Sequence, residues 1–172
     1  MRKRAWMRWL LLSLAIIVAD QASKAAIIAR LRDGSDIALA PFLSLILAFN
    51  AGAAFSFLND ASGWQHGLFV TIACIAAVVI VWLLRRGGST VYCAGLALIL
   101  GGALGNLMDR VEHGRVVDFL YFHYGKFSFP AFNVADSAIT VGAALLILDS
   151  FRTRHASDAR AALPAADPER LE

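Results

Sequence analysis

A membrane-embedded bundle of four helices is the fold class this sequence predicts, and three observations predict it. Apolar and aromatic residues make up 59% of the 172 positions against 17% charged, which leaves too little polar surface to cover a water-soluble domain. Residues 64–84 and 88–108 each supply, without one Asp, Glu, Lys or Arg, the roughly 20 mostly apolar positions that a bilayer crossing needs. Residues 9–29 and 131–151 have the same length and bias but carry Asp20 and Lys24 in the first, Asn133 and Asp136 in the second.

The chain opens on Met1-Arg2-Lys3-Arg4 before an apolar stretch, which imitates a secretory signal peptide. Because more spans follow and helix-forming residues continue through Asp20 to Lys24, the expected element is an uncleaved first span. Basic residues in short connections stay cytoplasmic. Arg2, Lys3, Arg4 and Arg8 precede the first span, Arg85 and Arg86 separate the second and third, and Arg152 and Arg154 follow the fourth. Both termini are therefore expected in the cytoplasm, with residues 30–63 and 109–130 outside. Asp33, Asp36, Asp60, Asp109, Glu112 and Asp118 then gather at the external boundary, with Asp20 and Asp136 facing the same end.

Within the first external segment, residues 37–49 are short, apolar and interrupted by Pro41, a pattern of extended structure broken at the proline. Ser56-Phe57-Leu58-Asn59-Asp60 leads on through Ser62 and Gly63 to the next helix. In the second, Phe119, Tyr121, Phe122, Tyr124, Phe127, Phe129 and Phe132 form an aromatic belt suited to the headgroup level; it serves as an anchor or as a lipid or peptide contact surface. Residues 1–154 are expected to form one membrane domain, and the tail 155–172, rich in alanine, proline and charge, a flexible or loosely helical appendage.

Several chemistries are set aside. Cys74 and Cys93 fall inside spans, where a thiol packs as a small hydrophobe. His66, His113, His123 and His155 show no metal-ligand spacing, and His123 has no evident geometry to activate Ser128 or Ser137. The net charge of +3 follows membrane topology and gives no support for nucleic-acid binding.

What remains lies at the external helix ends, where an ionisable group needs a partner or a task. Asp20 and Lys24 share a helical face and can pair, as a structural bond or as a hold on substrate backbone. Asn50-Ala51-Gly52 has the form of a turn with side-chain to backbone bonding. The run Gly101-Gly102-Ala103-Leu104-Gly105-Asn106 permits close helix approach and lacks the lysine and hydroxyl of a phosphate loop. Asp109, Arg110 and Glu112 follow it as a possible interfacial ion network. Asp118, amid Val116-Val117 and Phe119, and Asp136, one turn inside the fourth span, should reach similar depth. Two such carboxylates within reach of each other share one proton, the arrangement that water-mediated peptide hydrolysis uses. Spacing alone leaves open an aspartyl peptidase, an ion-coupled transporter and a structural subunit.

Five motifs in order, Asp20-Gln21-Ala22-Ser23-Lys24, Asn50-Ala51-Gly52-Ala53-Ala54-Phe55-Ser56, Gly101 through Arg110, Val116-Val117-Asp118-Phe119 and Phe132-Asn133-Val134-Ala135-Asp136, resemble those of the bacterial lipoprotein signal peptidases, the type II signal peptidases. The resemblance runs from the first span to Asp149. It implies a four-helix membrane bundle with a small extracytoplasmic β-cradle and a short extracytoplasmic helix, in the bacterial cytoplasmic (inner) membrane. It implies a hydrolase, an aspartyl endopeptidase without cofactor or metal, that cleaves on the amino side of the lipidated cysteine of diacylglyceryl-modified prolipoproteins. Globomycin-type inhibitors would bind at the dyad, beside membrane lipid and with no obligate protein partner. The catalytic pair corresponds to Asp118 and Asp136, and the surrounding polar set to Asp20, Lys24, Asn50, Gly52, Asn106, Asp109, Arg110 and Asn133. Of these, Asp20, Lys24 and Asn50 are expected to fix local geometry, with Arg110 and Asn133 nearer the dyad.

Overall fold

The first apolar segment folds as α1, Met7–Arg30, closed by a bond from the Leu31 N–H to the Ile27 carbonyl. In the computed structural model, residues 6–31, 35–52 and 63–161 are described, with side chains through Arg152. Strands β1, Ile37–Ala40, and β2, Leu43–Asn50, follow, with Pro41 and Phe42 in the turn between them. Next come α2, Trp64–Arg86, and α3, Thr90–His113. Strand β3, Val116–Tyr124, and the short β4, Phe127–Ser128, lead to α4, Val134–Ala161. All four helices are long and apolar enough to cross a membrane.

Local chemistry sets the ends of these helices. Gly87, at φ 79°, a value glycine adopts without steric cost, stops α2 while its N–H returns to the Leu83 and Leu84 carbonyls. Ser89 begins α3 by accepting from the Tyr92 N–H, and Gly114, at φ 72°, ends it. Helix α3 therefore continues five residues past the boundary expected from composition and takes in Asp109 and Arg110. Residues 109–113 contain no breaker, and polarity alone does not end a helix whose polar side chains find partners. Helix α4 starts three residues later than expected, at Val134, and runs on to Ala161 through the first part of the segment read as tail.

The helices alternate in direction, and α3 lies at the centre against the other three, with α1 also touching α4. Close approach rests on glycine. A Cβ on Gly142 would stand 2.6 Å from the Gly95 carbonyl oxygen, and one on Gly95 would stand 2.8 Å from that of Gly142, so α3 and α4 cross with their backbones nearly in contact.

The strands form one antiparallel sheet in the order β1-β2-β3-β4 at one end of the bundle. Leu45 faces Leu120 and Ala48 faces Asp118, so β2 holds one residue more than β3 between those pairs, a bulge beside a candidate site residue. Beyond β4, Phe132 bonds the backbone of β3 at Phe119 and Leu120. This clamps the start of α4 against the strand. The segment expected to be an aromatic belt is thus largely strand, with its rings stacked as Phe42 on Phe122 and Phe122 on Phe132. Among the described residues there is no fifth helix. The expected short extracytoplasmic helix is not found there, and residues 53–62, with the Ser56 to Asp60 stretch, lie outside them.

Candidate active site

Asn133 is the N-cap of α4. Its side-chain oxygen accepts from the Asp136 N–H at 2.9 Å, while the Asp136 carboxylate reaches back to the Asn133 N–H at 3.2 Å. This is a reciprocal capping box, so Asp136 owes its position to helix-start chemistry. A further orphan donor of that first turn, the Ala135 N–H, is taken by Asp20 of α1 at 2.9 Å.

Asp20 also holds Lys24. The ammonium is 2.7 Å from Asp20, 2.9 Å from Asp109 and 3.1 Å from the Asn106 side-chain oxygen, so each of its three protons has an acceptor. All three charged groups are buried. Asp109 additionally accepts from the Val117 N–H at 2.9 Å, which fixes the beginning of β3 to α3. The Asp20 and Lys24 pairing matches the expectation from their spacing; the bond to Asp109 is new. Gln21, absent from the expected set, donates to Asp109 at 2.8 Å, to Asp20 at 3.2 Å and to the Gly105 carbonyl at 3.1 Å. Its place three residues before Lys24 on the same helical face was the available signal. Gly105 makes room here, since a Cβ on it would stand 2.7 Å from Asp20 Oδ2.

Asn106 and Asn133 connect this ionic cluster to the other two aspartates. Asn106 donates to Asp136 at 2.8 Å while its oxygen accepts from Lys24 and, at 3.2 Å, from Asn133. The Asn133 amide donates to Asp118 at 2.7 Å. Asn133 therefore touches both Asp118, through its side chain, and Asp136, through its side-chain oxygen and backbone N–H. The second oxygen of Asp118 accepts from Asn50 at 3.2 Å. Asn50 also accepts from the Gly52 N–H at 2.9 Å, so it shapes the turn as expected and touches Asp118 as well, which was not expected.

Arg110 lies on the other flank. Its guanidinium donates to the Asn106 carbonyl at 3.3 Å and the Gly52 carbonyl at 3.1 Å, and sits 5.1 Å from the Phe69 ring centroid. No ion pair joins it to Asp109 or Glu112 among the described residues; the former faces Lys24 and the latter lies 3.9 Å from His113 at the surface. Each of the ten expected site residues is thus at the sheet end of the bundle, within one hydrogen-bonded assembly.

Burial pushes Asp118 up from its ordinary value to about 7, the charge of Asp136 adds to the rise, and bonds from Asn50 and Asn133 oppose it. His123 is 2.9 Å from the Ser44 hydroxyl and stacks on Tyr121; by strand alternation it lies on the sheet face opposite Asp118. Ser137 donates its hydroxyl to the Asn133 carbonyl. Among the described residues no group of three or more His, Cys, Asp or Glu side chains is arranged to hold a metal ion.

The family model described as Signal peptidase (SPase) II matches residues 12–152. The chain belongs to the signal peptidase II family. It is 54% identical over 145 residues to the lipoprotein signal peptidase of Burkholderia ambifaria and 50% identical to that of Paraburkholderia phymatum, each match covering 84% of this chain and 87% of the relative. Among solved structures it is similar to a bacterial membrane enzyme determined by the in meso method at 2.3 Å, with a TM-score of 0.75 and 31% identity over 84% of this chain and 88% of the other. A second such structure, at 1.9 Å, gives a TM-score of 0.72, also at 31% identity, over 82% and 90%. The chain is accordingly a multi-pass membrane peptidase of the signal peptidase II family. The family match encloses the hydrogen-bonded assembly from Asp20 to Asp136.

Proposed function

We propose that this signal peptidase II is an aspartyl endopeptidase that removes signal peptides from diacylglyceryl-modified prolipoproteins, cleaving on the amino side of the lipidated cysteine. The observation that carries the mechanism is a pair of carboxylates, Asp118 and Asp136, both bonded to Asn133, with Asp118 raised to about 7. Near neutral pH such a pair holds a single proton. The ionised carboxylate draws a proton from a water molecule as its oxygen attacks the scissile carbonyl carbon. The protonated carboxyl gives its proton to the carbonyl oxygen. When the tetrahedral intermediate collapses, the C–N bond breaks, its electron pair stays with nitrogen, the proton first taken from water goes to that nitrogen, and one hydroxyl of the intermediate returns its proton to the other carboxylate as the C=O bond re-forms. The products are the signal peptide's carboxylic acid and a free amine on the lipidated cysteine, and the dyad has its one proton back.

Asn50, Asn106 and Asn133 orient the two carboxylates in this scheme. The Lys24 cluster braces the strand and helix that carry them. Arg110, with Gly52, flanks the approach. Orientation by basic residues puts the sheet end outside the bacterial cytoplasmic membrane and both termini within the cytoplasm. A lipidated cysteine at the outer headgroup level would then meet the dyad while its acyl chains and the signal peptide's apolar segment stay in lipid.

The test is purified protein in nanodiscs given a diacylglyceryl-modified prolipoprotein or its unlipidated counterpart, with and without globomycin. Cleavage of the lipidated form alone, blocked by globomycin, is expected. Equal cleavage of both forms would remove lipid recognition from the proposal, and resistance to globomycin would remove occupancy of the dyad.

A further inference from the structure

At the end of the bundle away from the sheet, α1 and α2 stand apart over α3 and leave a groove of about 620 Å³. Its walls are Leu10, Leu14 and Ile17 of α1 and Val78, Val81 and Trp82 of α2, with Leu100 and Leu104 of α3 as its floor. The Ser13 hydroxyl in the wall is already spent on the Ala97 carbonyl at 2.8 Å. At 1.5 Å per residue, the stretch from Leu10 to Ile17 is about 11 Å long, most of one hydrocarbon leaflet of roughly 15 Å. It ends a turn short of Asp20, so it occupies the leaflet opposite the dyad.

The mouth is basic. Arg85 lines the groove where it reaches the helix ends. Around it, three arginines each lie over a tryptophan: Arg85 over Trp6 at 5.3 Å, Arg86 over Trp82 at 3.9 Å and Arg8 over Trp9 at 4.9 Å. None of these guanidiniums has a carboxylate in ion-pair contact among the described residues. A mostly apolar slot one leaflet deep, capped by arginines without anionic partners among the described residues and ringed by interfacial tryptophans, matches a single amphiphile: an acyl chain below and a negative headgroup above. A transmembrane helix is a poor occupant, because the slot covers only about half the span. The substrate's own signal peptide is a worse one, since its basic leading segment would meet the same arginines.

We propose that the groove between α1 and α2 is a binding site for an anionic phospholipid of the leaflet opposite the active site, with its acyl chain on Leu14, Val78 and Leu100 and its phosphate at Arg85. The lipid would add to the tie between α2 and α1, which Arg85 over Trp6 makes at the helix ends. The site is independent of the peptidase chemistry.

The experiment is native mass spectrometry of the purified protein released from nanodiscs containing equal phosphatidylglycerol and phosphatidylcholine of the same chain length. Wild type is expected to retain one phosphatidylglycerol about tenfold more often than phosphatidylcholine. Arg85→Gln, which removes the exposed charge and its contact with Trp6 but touches no buried core residue, should bring the ratio near one, and Leu14→Trp, which fills the slot, should lower retention of both lipids. Arg152→Gln, which removes an exposed charge on α4 outside the groove, should leave the wild-type ratio. Equal retention by wild type, an unchanged ratio in Arg85→Gln, or the same loss in Arg152→Gln would each overturn the site.

Discussion

Two pairs of aspartates lie at the sheet end of this bundle, and their surroundings differ in one respect. Asp20 and Asp109 sit on either side of a buried ammonium, Lys24, at 2.7 and 2.9 Å. Asp118 and Asp136 are joined through a neutral amide residue, Asn133. An ammonium with three acceptors neutralises charge and fixes it in place. An amide aligns two carboxylates without neutralising either, so the second pair keeps an unmet need for a proton, and Asp118 is raised to about 7. The first pair suits architecture and the second suits acid and base chemistry.

The sharpest way to break the comparison is to exchange the pairs' consequences. Asp118→Asn or Asp136→Asn should lower processing of a lipidated prolipoprotein by on the order of 10³-fold or more, with the protein still folded in nanodiscs by thermal unfolding. A near-normal rate in either variant would return both aspartates to a structural role. Lys24→Met should act on stability first. It strands two buried carboxylates, at a cost of about 3–5 kcal/mol, and adding Asp20→Asn should recover part of the lost thermal stability. If Lys24→Met unfolds at the wild-type temperature, the ammonium is not what holds α1 to α3.

The two pairs also differed in how far the sequence disclosed them. Composition and length sufficed for four spans, and the spacing of Asp20 and Lys24 for their bond, because both are local properties. The tie from Lys24 to Asp109 crosses 85 positions and depends on α3 continuing to His113, past the point where apolarity ends. Strand β3 was hidden because Val116, Val117, Asp118 and Phe119 are all buried, so no alternation marks it. The box at Asn133 and Asp136 is a helix-start pattern, which fixes the depth of the aspartate, whereas its capping bonds to Asn133 are seen only in the fold. Gln21 lies inside the first motif, but nothing local marks an uncharged amide whose acceptors Asp109 and Gly105 come from another helix.

The raised value of Asp118 makes a prediction about stability that runs opposite to activity. Its folded pKa of about 7 lies above the ordinary 3.8, so between those values the folded state binds more protons, and its contribution to stability falls as pH rises through 7. At pH 8 the ionised, buried carboxylate is destabilising. Asp118→Asn removes that penalty and should be more stable than wild type by on the order of 2 kcal/mol at pH 8, with the difference shrinking toward pH 5. Thermal unfolding at the two pH values checks it. A variant less stable than wild type at pH 8 would mean that Asp118 contributes more through its bonds to Asn50 and Asn133 than burial takes away.

The smallest effect tests whether the proton belongs to the second pair at all. Cleavage needs one proton on the dyad, so the rate should fall at low pH, when both carboxyls are protonated, and again above about 7, as Asp118 loses its proton. The Asn50 amide donates to the ionised form of Asp118 at 3.2 Å and so holds its pKa down. Asn50→Ala removes that donor, raises the value further and should move the alkaline limb to higher pH while lowering the maximal rate about tenfold, the worth of one hydrogen bond to a charged group. A merely structural Asn50, acting through the Gly52 turn, would lower the rate and leave the limb in place. The direction of the limb's movement, measured on the lipidated substrate with chemistry rate-limiting, therefore decides whether the amide-bridged pair differs from the ammonium-bridged pair by carrying the catalytic proton.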